Sequence, residues 1–409
     1  MGSQELLILL MMLLMALVLW FIATGALVFL YGWRGIFSAC REPVLCRPIL
    51  IIESDDWGAG KAGQASVLRN ITEILMCFTD CDGRRPVMTL GMILATADGE
   101  KTLSRGSYHR QMISRDTHGS LLDAITTGVD ESVFSVQLHG MEHFWPAALL
   151  AASKQDDAVN TWLTHSPEFQ TEDLPSPLQS RWVDASVLPA RRLSIAAVKQ
   201  AAQEEVHAFE DIFGTVPTVA VPPTFVWNKD VESAWARAGV GVIVTPGCRY
   251  ETRDEEGLPA GKGRSVYNGQ LGEHAIVYLV RDAYFEPSLG HTARQALDTL
   301  FAKTSQGRPT LFETHRFNFL GTKEKKKFAL DELDHLLRMS LTEFPNLAFL
   351  SSEKLAKILK NRDPEWLELR FRHRLHIWIT RLGELPRLRK LAWLTGWIVP
   401  AGLLWRLTA

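Results

Sequence analysis

The chain has 409 residues, of which 46% are hydrophobic and 22% are charged, and its formal net charge is −2 at pH 7. This length is enough for one large domain with appendages. Because the charges nearly balance, there is no global basic field of the kind that recruits nucleic acid, and we expect no nucleic-acid partner.

Residues 1–35 are predicted to form a transmembrane anchor. The run 6–33 carries no charge and is rich in Leu and Met. As a helix it would be roughly 42 Å long, which exceeds a hydrocarbon core of about 30 Å and indicates a tilted single-pass helix in the cell membrane. A cleavable signal peptide is disfavoured because no Lys or Arg precedes the run and no Ala-x-Ala site follows it closely. Residues 36–47 would be a linker.

The sequence leaves the side of the membrane open. Glu5 is the only charged residue before the apolar run, whereas Arg34, Arg41 and Arg47 follow it, so the positive-inside rule favours the cytoplasm for the rest of the chain. The five cysteines do not decide the compartment, because their number is odd and no disulfide framework is evident.

A strand-like run, Ile49-Leu50-Ile51-Ile52-Glu53-Ser54, leads into the pair Asp55-Asp56 and then into a Gly-containing loop. Neighbouring residues of a regular strand point to opposite faces. Both carboxylates therefore reach one pocket only if the backbone turns at the strand end. One would bind a metal ion, and the other would hold or deprotonate a water molecule.

Two further motifs follow strand-like runs. His139 and His143 form a His-x-x-x-His pair, and a lone His315 ends the run Leu311-Phe312-Glu313-Thr314. Two His and one Asp match the three protein ligands of a hydrolytic zinc site, in which an open position activates a water molecule. We therefore expect one divalent metal ion, with zinc favoured, and a spare carboxylate and imidazole for acid–base work.

The segment 144–190 interrupts the pattern and predicts a lid or a substrate wall beside the site. It opens with Phe144-Trp145-Pro146, directly after a candidate ligand. Trp145 is suited either to stacking on a sugar ring or to packing within the loop, and the sequence leaves both open.

The rest of residues 48–355 favours an α/β fold, a (β/α) barrel that is either closed or distorted and partly open. Strand-like runs alternate with helical patterns, which indicates a parallel sheet with a helical coat. All three motifs fall at strand ends, where such barrels place their chemistry. The predicted strands lie near 49–54, 87–94, 133–138, 217–221, 241–245, 275–281, 309–314 and 347–350, and the clearest helices near 191–213, 229–239, 290–305 and 327–343.

Over roughly residues 48–355 the chain resembles the polysaccharide deacetylases, which are carbohydrate esterase family four with a NodB-type domain. The resemblance implies that Asp55 is the catalytic base and that His315 is the general acid. It implies that Asp56, His139 and His143 bind the metal ion. The implied activity is removal of N- or O-acyl groups from sugars. Anchored relatives in this family more often face outward, so the resemblance favours the extracytoplasmic side, against the charge bias.

The sequence departs from the family in three places. Gly140 stands where the second motif has Ser or Thr. The stretch 219–228 corresponds to the third motif but lacks its Arg, which orients the base. The fourth motif is only echoed, by Arg281-Asp282.

We take as candidate substrate contacts Trp57, Trp145, Trp227, Asn228, Asp282 and Arg316.

The C-terminal segment 356–409 combines basic residues with Trp. Seven Arg or Lys residues lie between 370 and 390, whereas 391–405 is uncharged and too short to span a membrane. Such composition is typical of segments that lie in the interface of anionic membranes. We expect the segment to dock on the membrane surface on the side of the barrel; a helix packed on the barrel or on a partner is the alternative.

The sequence thus predicts a membrane-anchored, metal-dependent deacetylase acting on an acylated amino sugar of a polysaccharide or lipid-linked glycan. Its expected partners are that glycan, membrane lipid and membrane proteins of polysaccharide synthesis. Two alternatives remain. A glycoside hydrolase would need two carboxylates flanking a bond and would leave the His pair without a role. An inactive glycan-binding or scaffold protein is suggested by the missing Arg.

Overall fold

The structure is a computed structural model that describes residues 3–165, 171–261 and 263–409. The chain divides into two compact units. One, here called the anchor unit, contains residues 1–46, 305–308 and 364–409. The other, here called the sheet unit, contains residues 47–304 and 309–363.

A nine-stranded parallel sheet forms the centre of the sheet unit. Its first strand, β1, is buried along its whole length, as expected for a parallel sheet that is covered on both faces. In chain order the strands are β1 (Ile49–Gly58), β2 (Met88–Ile93), β3 (Phe134–Gly140), β4 (Val219–Ala220), β5 (Val242–Thr245), β6 (Val277–Val280), β7 (Ala283–Tyr284), β8 (Thr310–His315) and β9 (Ala348–Phe349).

The spatial order is β6-β5-β4-β3-β2-β1-β8-β7, and β9 also pairs with β1. Within the described part of the chain no ladder joins β6 to β7, so the curled sheet is an open half-barrel. The predicted α/β fold is confirmed, and each of the eight predicted strand regions contains a strand. The ninth strand, β7, was not predicted because its two residues lie between Arg281-Asp282 and Glu286-Pro287 and not within an apolar run.

Helices cover the sheet. Helix α7 begins where predicted, with the Ser194 side chain accepting a hydrogen bond from the Ala197 N–H, and ends at Gly214 in the left-handed region (φ 71°). The helices are α2 (Gln64–Met76), α3 (Gly99–Arg105), α4 (Arg115–Asp130), α5 (Pro146–Ala152), α6 (Asp157–Thr164), α7 (Ile195–Phe213), α8 (Lys229–Arg237), α9 (Ala293–Ser305), α10 (Lys323–Glu343) and α11 (Ser352–Asn361).

Short elements complete the sheet unit. Four antiparallel two-stranded sheets lie among the described residues. They pair Ala95–Ala97 with Arg110–Met112, Val183–Asp184 with Arg191–Arg192, Cys248–Arg249 with Arg264–Ser265, and Thr252–Arg253 with Pro259–Ala260. Single 3-10 turns lie at Thr171–Asp173, Ser176–Gln179, Pro223–Phe225, Glu273–Ala275, Pro287–Leu289 and Arg316–Asn318. Residues 166–170 of the predicted insertion 144–190 lie outside the described residues.

The anchor unit is helical. Helix α1 (Ser3–Arg41) is long and apolar enough to cross a membrane, and it continues into the region predicted as a linker. Three helices follow from the C-terminal segment: α12 (Phe371–Gly383), α13 (Pro386–Thr395) and α14 (Ile398–Thr408). Buried Arg381 holds α12 to the end of α1 by donating to the carbonyls of Ala39, Glu42 and Pro43. All five cysteines are free thiols.

Candidate active site

A bulge in β1 brings both carboxylates of the Asp pair into one cavity. The register between β1 and β2 shifts between Ser54 and Trp57, and Asp56 has a φ of 72°. Asp55 and Asp56 both line the cavity as a result. The turn that the sequence requires is therefore a bulge within the strand, which then continues to Gly58.

Two glycines make room for this arrangement. A Cβ at Gly91 on β2 would lie 2.3 Å from Asp55 Oδ1, so any side chain there would displace the carboxylate. Gly140 has a φ of 135°, a conformation that Ser or Thr rarely adopts. The local backbone therefore explains why glycine stands at this position of the second motif.

Asp56, His139 and His143 form a compact group of metal-ligand atoms at the carboxyl ends of β1 and β3. Asp56 Oδ1 lies 3.4 Å from His139 Nε2 and 3.6 Å from His143 Nε2. One ligand atom from each residue lies within 4.8 Å of the other two. All three residues are buried.

These residues fit a divalent ion. Ligands at roughly 2.0–2.1 Å around a tetrahedral zinc ion are about 3.4 Å apart, close to the two observed separations. Among the described residues none forms a hydrogen bond with the buried Asp56 Oδ1, as expected for an oxygen reserved for a cation. The Val221 carbonyl lies 2.9 Å from His139 Nδ1, so it accepts that N–H and leaves Nε2 facing the group. Burial lowers the pKa of His143 to about 4, which keeps its imidazole neutral for binding a metal.

Asp55 is paired with Arg281, which follows β6. Arg281 Nη2 donates to Asp55 Oδ2 over 2.6 Å, and the buried guanidinium also contacts Glu53 at 3.1 Å and Glu313 at 3.3 Å. Burial alone would raise the pKa of Asp55, but Arg281 and then His139 hold that pKa below its ordinary value. The Asp55 carboxylate is therefore ionised although it is buried.

His315 lies beside Asp55 on the neighbouring strand and has its own carboxylate partner. The two residues are in register across β1 and β8. His315 Nδ1 lies 2.6 Å from Glu286 Oε1, and Asn318 donates to the other oxygen of Glu286. Burial favours the neutral imidazole, but the Glu286 hydrogen bond and the Asp56 charge outweigh it and raise the pKa of His315 to about 10. His315 is consequently protonated at neutral pH.

The cavity has a volume of about 150 Å³. The insertion forms part of its wall through Thr171, Glu172 and Gln179, as a substrate wall would. Burial, and then the Asp56 charge, raises the pKa of Glu172 to about 7. The remaining lining residues are Glu313 on β8 and, in the segments that follow β4, β6 and β8, Pro222, Thr224, Phe225, Arg281 and Phe317.

None of the six candidate substrate contacts is among the described residues that line this cavity. Trp57 and Trp227 are fully buried in the hydrophobic core, and Trp145 packs at the edge of that core. The polar three have structural partners: Asn228 caps α8, Asp282 pairs with Lys303 at 2.6 Å, and Arg316 donates to the Ala59 carbonyl. Each of the six side chains therefore has a contact outside the cavity, and their role as substrate contacts stays a prediction.

Four carboxylates and one guanidinium of the site were not predicted, and one of these carboxylates, Glu172, lies in a 3-10 turn of the insertion. Arg281 stands beside Asp282 in the echo of the fourth motif, and this position indicates a site residue. The sequence-based prediction named only Asp282 of the two. Glu286 follows β7, which is too short to be visible in the sequence. Glu53 and Glu313 precede Asp55 and His315 by two residues, so they lie on the same strand faces, and that alternation was the available signal.

Comparison with solved structures finds several proteins that are similar to this chain at low identity. A putative polysaccharide deacetylase from Mycobacterium smegmatis is 10% identical, covers 79% of this chain and 93% of its own, and has a TM-score of 0.39. A family 4 acetyl xylan esterase from Clostridium thermocellum, solved with a cobalt ion, is 10% identical, with 76% and 91% coverage and a TM-score of 0.36. The solved structures similar to this chain thus include family 4 carbohydrate esterases and polysaccharide deacetylases.

A 4-alpha-glucanotransferase from Thermococcus litoralis is also similar, with 9% identity, 76% coverage of this chain and a TM-score of 0.40. This chain covers only 40% of that enzyme. No protein-family model and no curated protein matches the sequence. Because identities are near 10% and TM-scores are below 0.5, the assignment of chemistry rests on the residues of the site.

Proposed function

We propose that the protein is a membrane-anchored, metal-dependent deacetylase that removes an acyl group, N-acetyl in the favoured case, from an amino sugar of a polysaccharide or lipid-linked glycan. One observation carries the proposal. A three-residue metal-ligand group, an ionised carboxylate and a protonated imidazole line the same cavity. Amide or ester hydrolysis needs these three functions together.

Asp56, His139 and His143 would hold the ion, and zinc suits their mixed oxygen and nitrogen donors. When bound, a divalent ion polarises the acyl carbonyl and lowers the pKa of a water molecule.

Asp55 acts as the general base. Its Oδ2 accepts a hydrogen bond from Arg281 and lies 4.0 Å from His139 Nε2 of the metal-ligand group, whereas its Oδ1 lies against Gly91 of β2. Oδ2 therefore faces the metal-ligand group, and its second lone pair can accept a proton from the attacking water. The Arg281 contact also fixes the orientation of the carboxylate, so proton transfer needs no rearrangement of the base.

His315 acts as the general acid. Glu286 accepts from Nδ1, which leaves Nε2 as the nitrogen that can give its proton to the leaving amine. The side chain is about one-quarter exposed, so it lies at the open side of the cavity. Asp55 and His315 thus start in opposite protonation states at neutral pH, as a base and an acid must.

The cavity suggests how a large substrate binds. Its volume of about 150 Å³ is below the range of roughly 300–1,000 Å³ that is typical for whole small-molecule ligands. An acyl group can enter while the rest of a glycan stays outside. Attachment by α1 favours a substrate that is itself held at the membrane.

Of the two alternatives, the inactive scaffold loses its motivation. It rested on the missing Arg of the third motif, and Arg281 contacts Asp55 in its place. A glycoside hydrolase would leave the His139 and His143 pair unexplained.

The test is acetate release from N-acetylglucosamine oligomers by the full chain in detergent, reconstituted with Zn²⁺. We expect acetate and free amine in equal amounts. Asp55→Asn should abolish release, whereas Asp123→Asn, at an exposed residue of α4, should not. Release of sugar fragments without acetate would instead support the glycoside hydrolase and refute the proposal.

A further inference from the structure

We propose that α13 and α14 form a helical hairpin that enters the hydrocarbon core from one side of the membrane. The hairpin lies beside α1 and turns near the middle of the membrane. The inference rests on the membrane anchoring proposed above. It differs from the sequence-based expectation that the C-terminal segment lies flat on the membrane surface. The ligand of this surface is lipid: acyl chains around the hairpin and anionic headgroups at its base.

The hairpin packs along α1 from its start to its turn. At its start, Leu385 and Leu388 pack where Cβ atoms at Gly35 and Gly32 would clash, at 2.7 and 2.5 Å. At its turn, the Trp397 ring takes the space beside Gly25, where a Cβ would lie 2.8 Å away. Small residues that admit a close helix are typical of helix contacts in membranes.

The turn lies deep in the apolar run. Trp397 packs edge-to-face on Phe21, with ring centroids 5.6 Å apart. Roughly 20 Å of helix separates Phe21 from Gly35, at about 1.5 Å per residue, and half of a hydrocarbon core is about 15 Å. Phe21 is close to the midpoint of the uncharged run 6–33. The turn therefore reaches about the middle of the membrane that α1 would span.

Four polar side chains at the turn form hydrogen bonds within the protein. Trp20 Nε1 donates to the Thr395 carbonyl over 3.2 Å, and Trp397 Nε1 donates to Thr24 Oγ1 over 3.2 Å. The Thr24 hydroxyl itself donates to the Trp20 carbonyl, and that of Thr395 donates to the Leu391 carbonyl. In hydrocarbon an unsatisfied polar group costs several kcal/mol, so such closure is what a turn at this depth requires.

Helix α14 returns to α12. Trp405 Nε1 donates to Thr380 Oγ1 over 2.9 Å, and the Trp405 ring stacks on His376 with centroids 4.7 Å apart. Arg372 donates to the carbonyl of Ala409. Both ends of the hairpin therefore lie near α12, and its far end is the uncharged turn between α13 and α14, at Gly396 and Trp397.

The side chains on the outer surface match a lipid environment. Trp393, Val399 and Leu403 are each at least 60% exposed. Large exposed apolar surfaces of this kind mark contacts with a membrane or a partner. The charge distribution selects the membrane, because the basic residues lie in the first half of α13 (Arg387, Arg389 and Lys390) and near the end of α14 (Arg406), away from the turn.

The experiment measures depth with nitroxide labels on the full chain in liposomes containing anionic lipid. The five native cysteines, none in a disulfide, are changed to Ser, and single labels are placed by Val399→Cys, Leu13→Cys and Arg387→Cys. Collisions with oxygen and with a charged, water-soluble nickel chelate are compared. We expect the label at 399 to match that at 13, and chelate collisions at 387 to be higher by about tenfold or more, since charged solutes are excluded from hydrocarbon.

Each other outcome has a separate meaning. If the label at 13 is protected and that at 399 behaves like the one at 387, the hairpin lies on the surface and this inference fails while anchoring stands. If the label at 13 is also open to the chelate, the anchoring proposal itself fails.

A second variant tests the contact with α1. Gly25→Leu should push Trp397 outward and raise chelate collisions at residue 399, whereas Ala26→Leu, at an exposed neighbour, should not. An unchanged signal in Gly25→Leu would refute positioning of the turn by α1.

Discussion

Arg281 Nη2 lies 2.6 Å from Asp55 Oδ2, although the two residues are 226 positions apart in the chain. The third motif lacks the Arg that would orient the base, and a strand end elsewhere in the same sheet provides it. The same guanidinium contacts Glu53 and Glu313, so three buried carboxylates share one cation. The orientation of the base and the stability of this part of the sheet therefore depend on one side chain.

We predict that His139→Ala loses most of the bound metal, because two of three protein ligands rarely retain a tight ion. Elemental analysis of purified protein measures this directly. His335→Ala, at an exposed residue of α10, is the matched control and should bind as much metal as the unchanged chain. Equal metal content in His139→Ala and in the control would remove the ligand assignment.

Asp55→Asn should lower kcat by about 10²-fold or more, the usual contribution of a general base, and should keep the metal. Both quantities are measured on the same preparation, by acetate release and by elemental analysis. The combination separates Asp55 from Asp56, whose replacement by Asn should lose both activity and metal. Near-normal turnover by Asp55→Asn would contradict its role as the base.

Arg281→Lys should move the acid limb of the pH profile of kcat/KM to higher pH. Arg281 lowers the pKa of Asp55, and a lysine ammonium cannot contact three carboxylates in the same way, so that pKa should rise toward the value that burial favours. The base is then protonated over more of the acid range. Arg338→Lys, at a largely exposed residue of α10, should leave the profile unchanged. An unmoved acid limb in Arg281→Lys would show that Arg281 does not set the ionisation of the base.

Glu286→Gln should move the alkaline limb of the same profile to lower pH. The hydrogen bond and charge of Glu286 help to raise the pKa of His315 to about 10, so their loss lets burial favour the neutral imidazole. The acid form is then lost at a lower pH. Glu353→Gln, at a solvent-facing residue of α11, is the control. If the maximum of kcat/KM falls in Glu286→Gln but both limbs stay at the same pH, Glu286 only positions His315.

Local sequence patterns predicted which side chains lie together at much of the candidate site. The Asp pair, the His pair and His315 each follow an apolar run, and parallel strands bring their carboxyl ends to one edge. This logic places the five side chains together without any knowledge of their partners. Side chains two residues apart on a strand share a face, so the sequence also places Glu53 with Asp55 and Glu313 with His315.

Long-range partners could not be predicted from the sequence. Arg281 could have paired with any acid near its strand end, and only the curl of the sheet sets it against Asp55. The same uncertainty affected the aromatic residues, because a Trp beside a motif suits a sugar or a hydrophobic core equally well. Trp57 and Trp227 proved to be core residues.

The sequence by itself determined the strands and their order along the chain, since these depend on short-range hydrophobic periods, and the side-chain chemistry at the strand ends is the basis of the proposed metal-ligand and acid–base groups. Only the tertiary structure decided that the sheet is open, that Arg281 and Glu286 complete the site, and that the C-terminal helices fold along α1. Each of these depends on distances between residues far apart in the chain. Those distances are set by how whole elements pack, which no local pattern records.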